Sequence, residues 1–319
     1  MSIPYMDFAP RKPFLRRLAI GIAVVGALTA CGTAALQHEE SRLTFQVVRD
    51  TPRWYTGMPD GVQEFDIPVA DAQPAQHIHA WWWPAPNGKV DAPAILYLHG
   101  SRWSLTGQLF RIEELRDFGF SVLAIDYRGF GKSDGDMPTE KTVYEDAHAA
   151  WNWLAARQPD PGKRYIYGHS LGGAVAIDLA ASLNGADAVP ARRPAAAGLI
   201  VESSFTTLED MAKALTYPWL PVGLLLSQKF DSMSKMANVH MPVLIVHGAA
   251  DRFVPVRFSE ALYGAASGPK KLLVIDGGTH NNSMRTGVAE YRHALSELFG
   301  LASGSPPKAH TMHGGGLGP

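Results

Sequence analysis

The apolar positions of this chain fall into short unbroken runs separated by longer stretches of helical periodicity. Ala94 to Leu98 is such a run, and Ala197 to Val201 and Pro242 to Val246 follow its pattern; Ser121 to Ile125, Arg164 to Tyr167 and Lys271 to Ile275, each opening on a polar residue, are further strands. Continuous apolar runs of this length suit strands buried on both faces of a parallel sheet. The stretches Leu105 to Phe118, Glu140 to Arg157, Ala174 to Leu183, Arg257 to Ala265 and 284–299 between and after them predict helices. Upstream, Val62 to Pro68 and His77 to Trp83 are β-prone between Pro, Asp and Gly breakers, and a first strand is expected near Leu43 to Val48. Strands alternating with helices predict an α/β fold, a doubly wound, mostly parallel sheet with right-handed crossovers. Sites in such sheets lie at the carboxyl ends of the strands. Polar residues gather at those ends: His99-Gly100-Ser101, Asp126 to Ser133, Glu202, Asp251 and His280.

One junction carries chemistry. Gly168-His169-Ser170-Leu171-Gly172-Gly173 joins the strand ending at Tyr167 to the helix that follows. Strand, sharp turn and helix around Gly-x-Ser-x-Gly is the context of a nucleophile elbow, with Ser170 raised above the sheet. The strained turn needs small residues two positions either side, which Gly168 and Gly172 supply. The helix N-terminus behind the serine favours developing negative charge.

A serine hydroxyl needs a base, and the base needs an orienting acid. His280 follows the last strand on the glycine-rich loop Gly277-Gly278-Thr279-His280 and is the expected base. Asp251 follows the preceding strand and is the expected acid, with Glu202 as a rival because it also ends a strand. The order Ser170, Asp251, His280 is the one this architecture uses. The oxyanion of an acyl-transfer intermediate would be met by the backbone N–H of Leu171 and by one from the loop after Leu98, Ser101 first and Arg102 next. His169 is read as a packing residue of the elbow, and His99 and His247 as buried histidines bonded to backbone. Asp126 and Arg128 are read as a structural turn. His77 and His79 lack a third metal ligand and are read as strand-surface residues, and Trp81-Trp82-Trp83 as packing.

Composition narrows the partners. The chain is 46% hydrophobic and 18% charged, with a formal net charge of −1 and no basic block in its globular part, which argues against nucleic acid. Cys31 is the sole cysteine, so an intrachain disulfide and a cysteine-based zinc cluster are excluded. A basic stretch at 11–17 precedes an apolar stretch at 18–30, the layout of a signal peptide. The uncharged run from Leu18 to Leu36 is also long enough for an uncleaved membrane anchor. Leu28-Thr29-Ala30-Cys31 resembles the bacterial lipobox. That resemblance implies cleavage before Cys31 and a diacylglycerol on its thiol, and Gly32 in place of Asp leans towards the outer membrane. Either reading tethers the globular part to a membrane, in the cell envelope and facing outside the cytoplasm.

Together, Leu98-His99-Gly100, Asp126-Tyr127-Arg128-Gly129-Phe130-Gly131-Lys132-Ser133, the Ser170 elbow, the Asp251 loop and Thr279-His280 resemble the α/β-hydrolase superfamily, over Ala94 to Phe299. The spacing is most similar to its small-capped esterase, thioesterase and peptidase-like members. Ser101 stands where that family frequently has Asn. The expected organisation is a signal peptide or anchor at 1–30, a tether at 31–40, an α/β-hydrolase domain at 41–302 with a cap at about 206–240, and a disordered tail at 303–319. The cap contains the apolar stretch Tyr217 to Leu226, which suits packing on the sheet or an acyl-binding wall. The expected activity is cleavage of small or lipid-like acyl esters or thioesters through an acyl-enzyme, with no metal or organic cofactor required. A peptidase of the same fold and a non-catalytic envelope scaffold are the alternatives. The sequence leaves oligomeric state open.

Overall fold

Among the described residues, eight strands form one sheet: β1 (Gln63–Val69), β2 (Gln76–Trp83), β3 (Ala94–Leu98), β4 (Ser121–Ile125), β5 (Arg164–His169), β6 (Gly198–Glu202), β7 (Val243–Gly248) and β8 (Lys270–Ile275). Their spatial order is β1-β2-β4-β3-β5-β6-β7-β8. The pairs β1/β2 and β2/β4 are antiparallel and all the others parallel. The computed structural model describes residues 35–70, 72–88, 91–183, 196–215 and 226–301, with Gly32 and Gly223 besides. Cys31, the stretch at 1–30, the tail from 302 and most of the apolar cap stretch lie outside the described residues.

The central strands are buried along their whole length, as their unbroken apolar runs require. Alternate side chains divide between two cores. Leu96, Leu98, Leu123, Ile125, Leu199, Val201, Val243 and Ile245 face one core, which α2 (Glu140–Arg157), α3 (Leu171–Ser182) and α6 (Val256–Ala265) cover. Ile95, Tyr97, Val122, Ala124, Ile200, Leu244 and Val246 face the other, under α1 (Leu105–Asp117) and α8 (Val288–Phe299). The tryptophan run splits in the same way: Trp82 enters the first core, and Trp81 and Trp83 the second.

Two elements depart from the sequence expectation. No strand forms at Leu43 to Val48. Residues 35–44 are helical, and Val48 makes only an isolated bridge to Trp103. Phe45 pins this helix by burying its ring edge-on to Phe130 and Phe230, at centroid distances of 6.4 and 6.0 Å. The helix expected at 284–299 is two, α7 (Ser283–Thr286) and α8, with Gly287 between them. A Cβ at Gly287 would lie 2.3 Å from Ile275 Cδ1, so this junction presses directly on β8. Within 206–240, the stretch expected to form a cap, the described residues hold α4 (Leu208–Leu215) and α5 (Ser232–Met236). No helix among the described residues is long and apolar enough to cross a membrane.

The turn after β4 is structural, as expected. Asp126 accepts the N–H of Leu105 at 2.8 Å and so ties β4 to the start of α1. Arg128 forms ion pairs with Asp146 and Glu145, both at 2.6 Å, on α2. His79 is not the surface residue expected. It is 5% exposed and meets Glu64 at 2.8 Å and Asp66 at 3.2 Å, because β1 pairs beside it.

Burial pushes the Asp126 carboxyl up from its ordinary 3.8 to about 7, against the hydrogen bonds it accepts from Leu105 and Lys132. Its protonated form is therefore the one the fold favours. That contribution is complete below the unfolded value and is lost as pH rises towards the folded one. Asp126→Asn keeps an acceptor for Leu105 and cannot ionise. In thermal melts across the range from about pH 4 to about pH 7, the wild type should lose stability relative to this variant. A difference that stays constant would mean that Asp126 is ionised throughout.

Candidate active site

β5 ends at His169, and the chain reverses at Ser170 with φ 55° and ψ −122°. A non-glycine residue at positive φ is strained and persists only where its surroundings over-determine it. Here they do. The Ser170 N–H donates to Glu202 O at 2.8 Å, and its carbonyl accepts from Gly173 N–H and from Ser204 Oγ, both at 2.9 Å. The expected small residues are required on both sides. A Cβ at Gly168 would sit 2.1 Å from Gly172 O, and one at Gly172 would sit 2.2 Å from Leu98 O.

The structure brings Ser170, His280 and Asp251 together. Ser170 Oγ lies 3.1 Å from His280 Nε2, and His280 Nδ1 lies 2.8 Å from Asp251 Oδ2. The other carboxylate oxygen accepts the N–H groups of Phe253 at 2.8 Å and Val254 at 2.9 Å. Burial works to raise the Asp251 carboxyl. Hydrogen bonds from His247 and His280 and the proximity of the His280 ring outweigh it and hold the group well below the usual carboxylate range. Asp251 is thus an ionised acceptor facing an imidazole, which faces a hydroxyl. Such a chain can move the hydroxyl proton to the ring and stabilise the resulting imidazolium.

The other histidines are accounted for. His247 Nε2 meets Val254 O at 2.9 Å, and its Nδ1 meets Ser259 Oγ at 2.7 Å. His99 Nδ1 meets Gly100 O at 2.7 Å. Glu202 does not meet the imidazole. It is fully buried and accepts from Tyr167 at 2.6 Å, Ser283 at 2.8 Å and Tyr291. His169 packs at the elbow as expected, with its ring centroid 4.8 Å from that of His280. It also reaches the His280 carbonyl, a contact the sequence reading missed. Arg111 was missed altogether, because a charged residue in the middle of α1 reads as a surface cation, yet this one is 2% exposed.

For the expected oxyanion donors, Leu171 is the first residue of α3, a helix whose N-terminus has no side-chain cap. The N–H groups of a helix's first turn have no intrahelical partner. The loop bearing Ser101 runs against the nucleophile, since a Cβ on Gly100 would lie 3.3 Å from Ser170 Cβ. Phe253 stands at the mouth, 59% exposed, with its ring centroid 5.6 Å from that of His280. Among the described residues no group of three or more His, Cys, Asp or Glu could hold a metal ion.

The family model described as serine aminopeptidase, S33, matches residues 91–233, a span that includes Ser170. An uncharacterised protein of Mycobacterium tuberculosis is 33% identical over 267 residues, covering 83% of this chain and 89% of the relative. A lysophosphatidylserine lipase of Danio rerio is 32% identical over 222 residues, covering 65% of this chain but only 55% of the relative. An esterase of Pyrococcus furiosus has a similar structure, with a TM-score of 0.61 at 21% identity over 79% of this chain and 99% of its own. At that identity the likeness speaks for the fold alone.

The elbow's intolerance can be measured. Gly168→Ala should lower stability by about 3 kcal/mol, or prevent folding, because the added methyl meets backbone that cannot move aside. Gly264→Ala is the control. Nothing lies within 4 Å of its Cβ position on α6, so it should raise stability by about 0.5 kcal/mol through helix propensity. Denaturant midpoints of the two variants would check both signs.

Proposed function

Because the chain belongs to the α/β-hydrolase superfamily, we propose that it is a serine hydrolase cleaving carboxylic esters or thioesters through an acyl-enzyme. The observation that carries this reading is the relay of 3.1 Å from Ser170 to His280 and 2.8 Å from His280 to Asp251. Ser170 Oγ attacks the substrate carbonyl while its proton passes to His280 Nε2. His280 then returns that proton to the departing alcohol or thiol as the C–O or C–S bond breaks. Water, deprotonated by the same nitrogen, attacks the acyl-enzyme and releases the acid. Asp251 stays ionised and fixes the imidazole tautomer. The N–H groups of Leu171 and Ser101 receive the oxyanion in both halves of the reaction.

The lipase name of the Danio rerio relative supports a lipid-like acyl ester as substrate. An exposed apolar side chain beside the site supports the same class: the Phe253 ring lies 5.6 Å from that of His280. The lipobox-like Leu28-Thr29-Ala30-Cys31 adds a reason to place the enzyme on a membrane of the cell envelope. The matching family model, that of serine aminopeptidase, S33, favours a second reading, an aminopeptidase on the same triad.

The test is labelling of the full chain, purified in detergent, with a fluorophosphonate probe. Wild type should label, and Ser170→Ala and His280→Ala should not. Absence of labelling in folded wild type would remove the hydrolase reading. Asp251→Asn should lower kcat on an ester by about ten-thousandfold, since the amide holds the wrong tautomer. In a substrate series, medium and long acyl esters should turn over well ahead of short soluble esters. A preference for peptide amides would put the aminopeptidase reading first.

A further inference from the structure

Behind the His280 imidazole, its main-chain carbonyl is gripped by two buried side chains. Arg111 Nη2 lies 3.1 Å from His280 O, and His169 Nε2 lies 2.9 Å from the same atom. The two side chains also touch each other, with Arg111 Nη2 3.0 Å from His169 Nε2. Burial, the Arg111 charge and His280 hold the His169 ring well below its ordinary value, so it is neutral and carries one N–H. Its Nδ1 is buried without a partner. A proton there would be an orphaned buried donor, the costlier arrangement. The proton therefore sits on Nε2 and is donated to His280 O, whose second lone pair takes the Arg111 N–H.

Arg111 is held in turn by Glu202, whose Oε1 lies 3.5 Å from Nη2. Burial works against the Arg111 charge, and Glu202 together with Tyr167, Tyr97 and Tyr291 outweighs it. Glu202 also accepts from Ser283, three residues after His280, and from Tyr291 on α8. On the other side of His280, Asn282 Oδ1 accepts from Thr279 N–H at 2.7 Å and Thr279 Oγ1 at 2.9 Å. The histidine loop is thus bound to α1 through Arg111, to the end of β5 through His169, and to the end of β6 through Glu202. Ser170 follows the end of β5 directly, and its N–H is bonded to Glu202 O.

We propose that Arg111 is a positioning residue for the acyl transfer. Anchored on Glu202 and aided by His169, it holds the His280 main chain where one imidazole meets both Ser170 and Asp251. The proposal rests on the serine-hydrolase reading above. It assigns work to a charged cluster at the interior of the fold that touches no reacting atom. Both contacts leave from the one nitrogen Nη2, at the end of a side chain longer than that of lysine, so lysine keeps the charge without the same placement.

The test compares the full-length wild type with Arg111→Met/Glu202→Gln and with Arg111→Lys. The paired change avoids leaving a lone buried carboxylate, and the introduced amide oxygen can still accept from Tyr167 and Tyr291, which share Oε2, while its NH2 donates to Ser283 Oγ. Fluorophosphonate labelling is followed for rate and for final extent, beside kcat and KM on an acyl ester. In the double variant the labelling rate and kcat should fall about a hundredfold, the usual effect of misplacing a catalytic group by about 1 Å. KM should stay within about twofold, because the proposed contact is not with substrate. Labelling should still reach full stoichiometry, slowly. Arg111→Lys, which keeps a cation for Glu202, should fall between the two. Labelling of the double variant at the wild-type rate would overturn the proposal. So would a fraction that labels at the wild-type rate while the remainder never labels, since that pattern means lost fold alone. Wild type that fails to label would bring down the hydrolase reading itself, an outcome distinct from either.

Discussion

The end of β3 presses so closely on the first turn of α3 that Gly172 has no room for a side chain, with Leu98 O and His99 O in the way. This contact sets the height at which the chain reverses after β5, and so the height of Ser170 above the sheet. The positive φ at Ser170 follows from it, as do the bonds to Glu202 O and Ser204 Oγ that keep the strained turn from relaxing. Because β3 and β5 are neighbours in register, the loop after Leu98 arrives beside the nucleophile without any further device. A hydroxyl, an uncapped helix start and a second loop of backbone amides meet at one point because two parallel strands end together.

Two carboxylates at this edge of the sheet show how surroundings divide the labour between like groups. Asp251 receives two main-chain N–H groups and two imidazoles, and the donors win over burial. Asp126 follows β4, separated from β7 by three strands along the same edge, with fewer donors, and burial wins. A charged acid facing His280 can support an imidazolium; a neutral one could not. The donors around Asp251, rather than the mere presence of a carboxylate after a strand, are what qualify it. Glu202 is disqualified by position instead, since its oxygens are taken by Tyr167, Tyr291, Ser283 and Arg111 and do not meet the His280 ring.

How much of this could be read in the residues follows from where each signal lives. The strands Ala94–Leu98 and Ser121–Ile125 and the helix Glu140–Arg157 were legible to the residue, because unbroken apolar runs and helical periodicity are local. The elbow was legible because its steric demand falls within five consecutive positions. Asp251 and His280 were legible because they follow strands in chain order. Arg111 was not. Its partner Glu202 lies 91 residues away, and no local pattern distinguishes a guanidinium turned inward from one turned out. The helix at 35–44 was missed for a related reason. Its anchor, Phe45, docks on Phe130 and Phe230, rings that only the tertiary fold brings near. Gly287 was visible as a residue, but its need to lie flat on Ile275 was not.

The helix at 35–44 ends in a contact far along the chain. Glu40 Oε1 accepts from Gln228 N–H at 2.8 Å, and Oε2 accepts from Ser227 N–H at 2.9 Å. Lys229 and Phe230, the next two residues, donate their N–H groups to Glu140 at the head of α2. The N-terminal helix, the trailing flank of the cap and α2 are therefore riveted in series. A pull on the helix at 35–44 would load residues 227–230 before it reached the sheet.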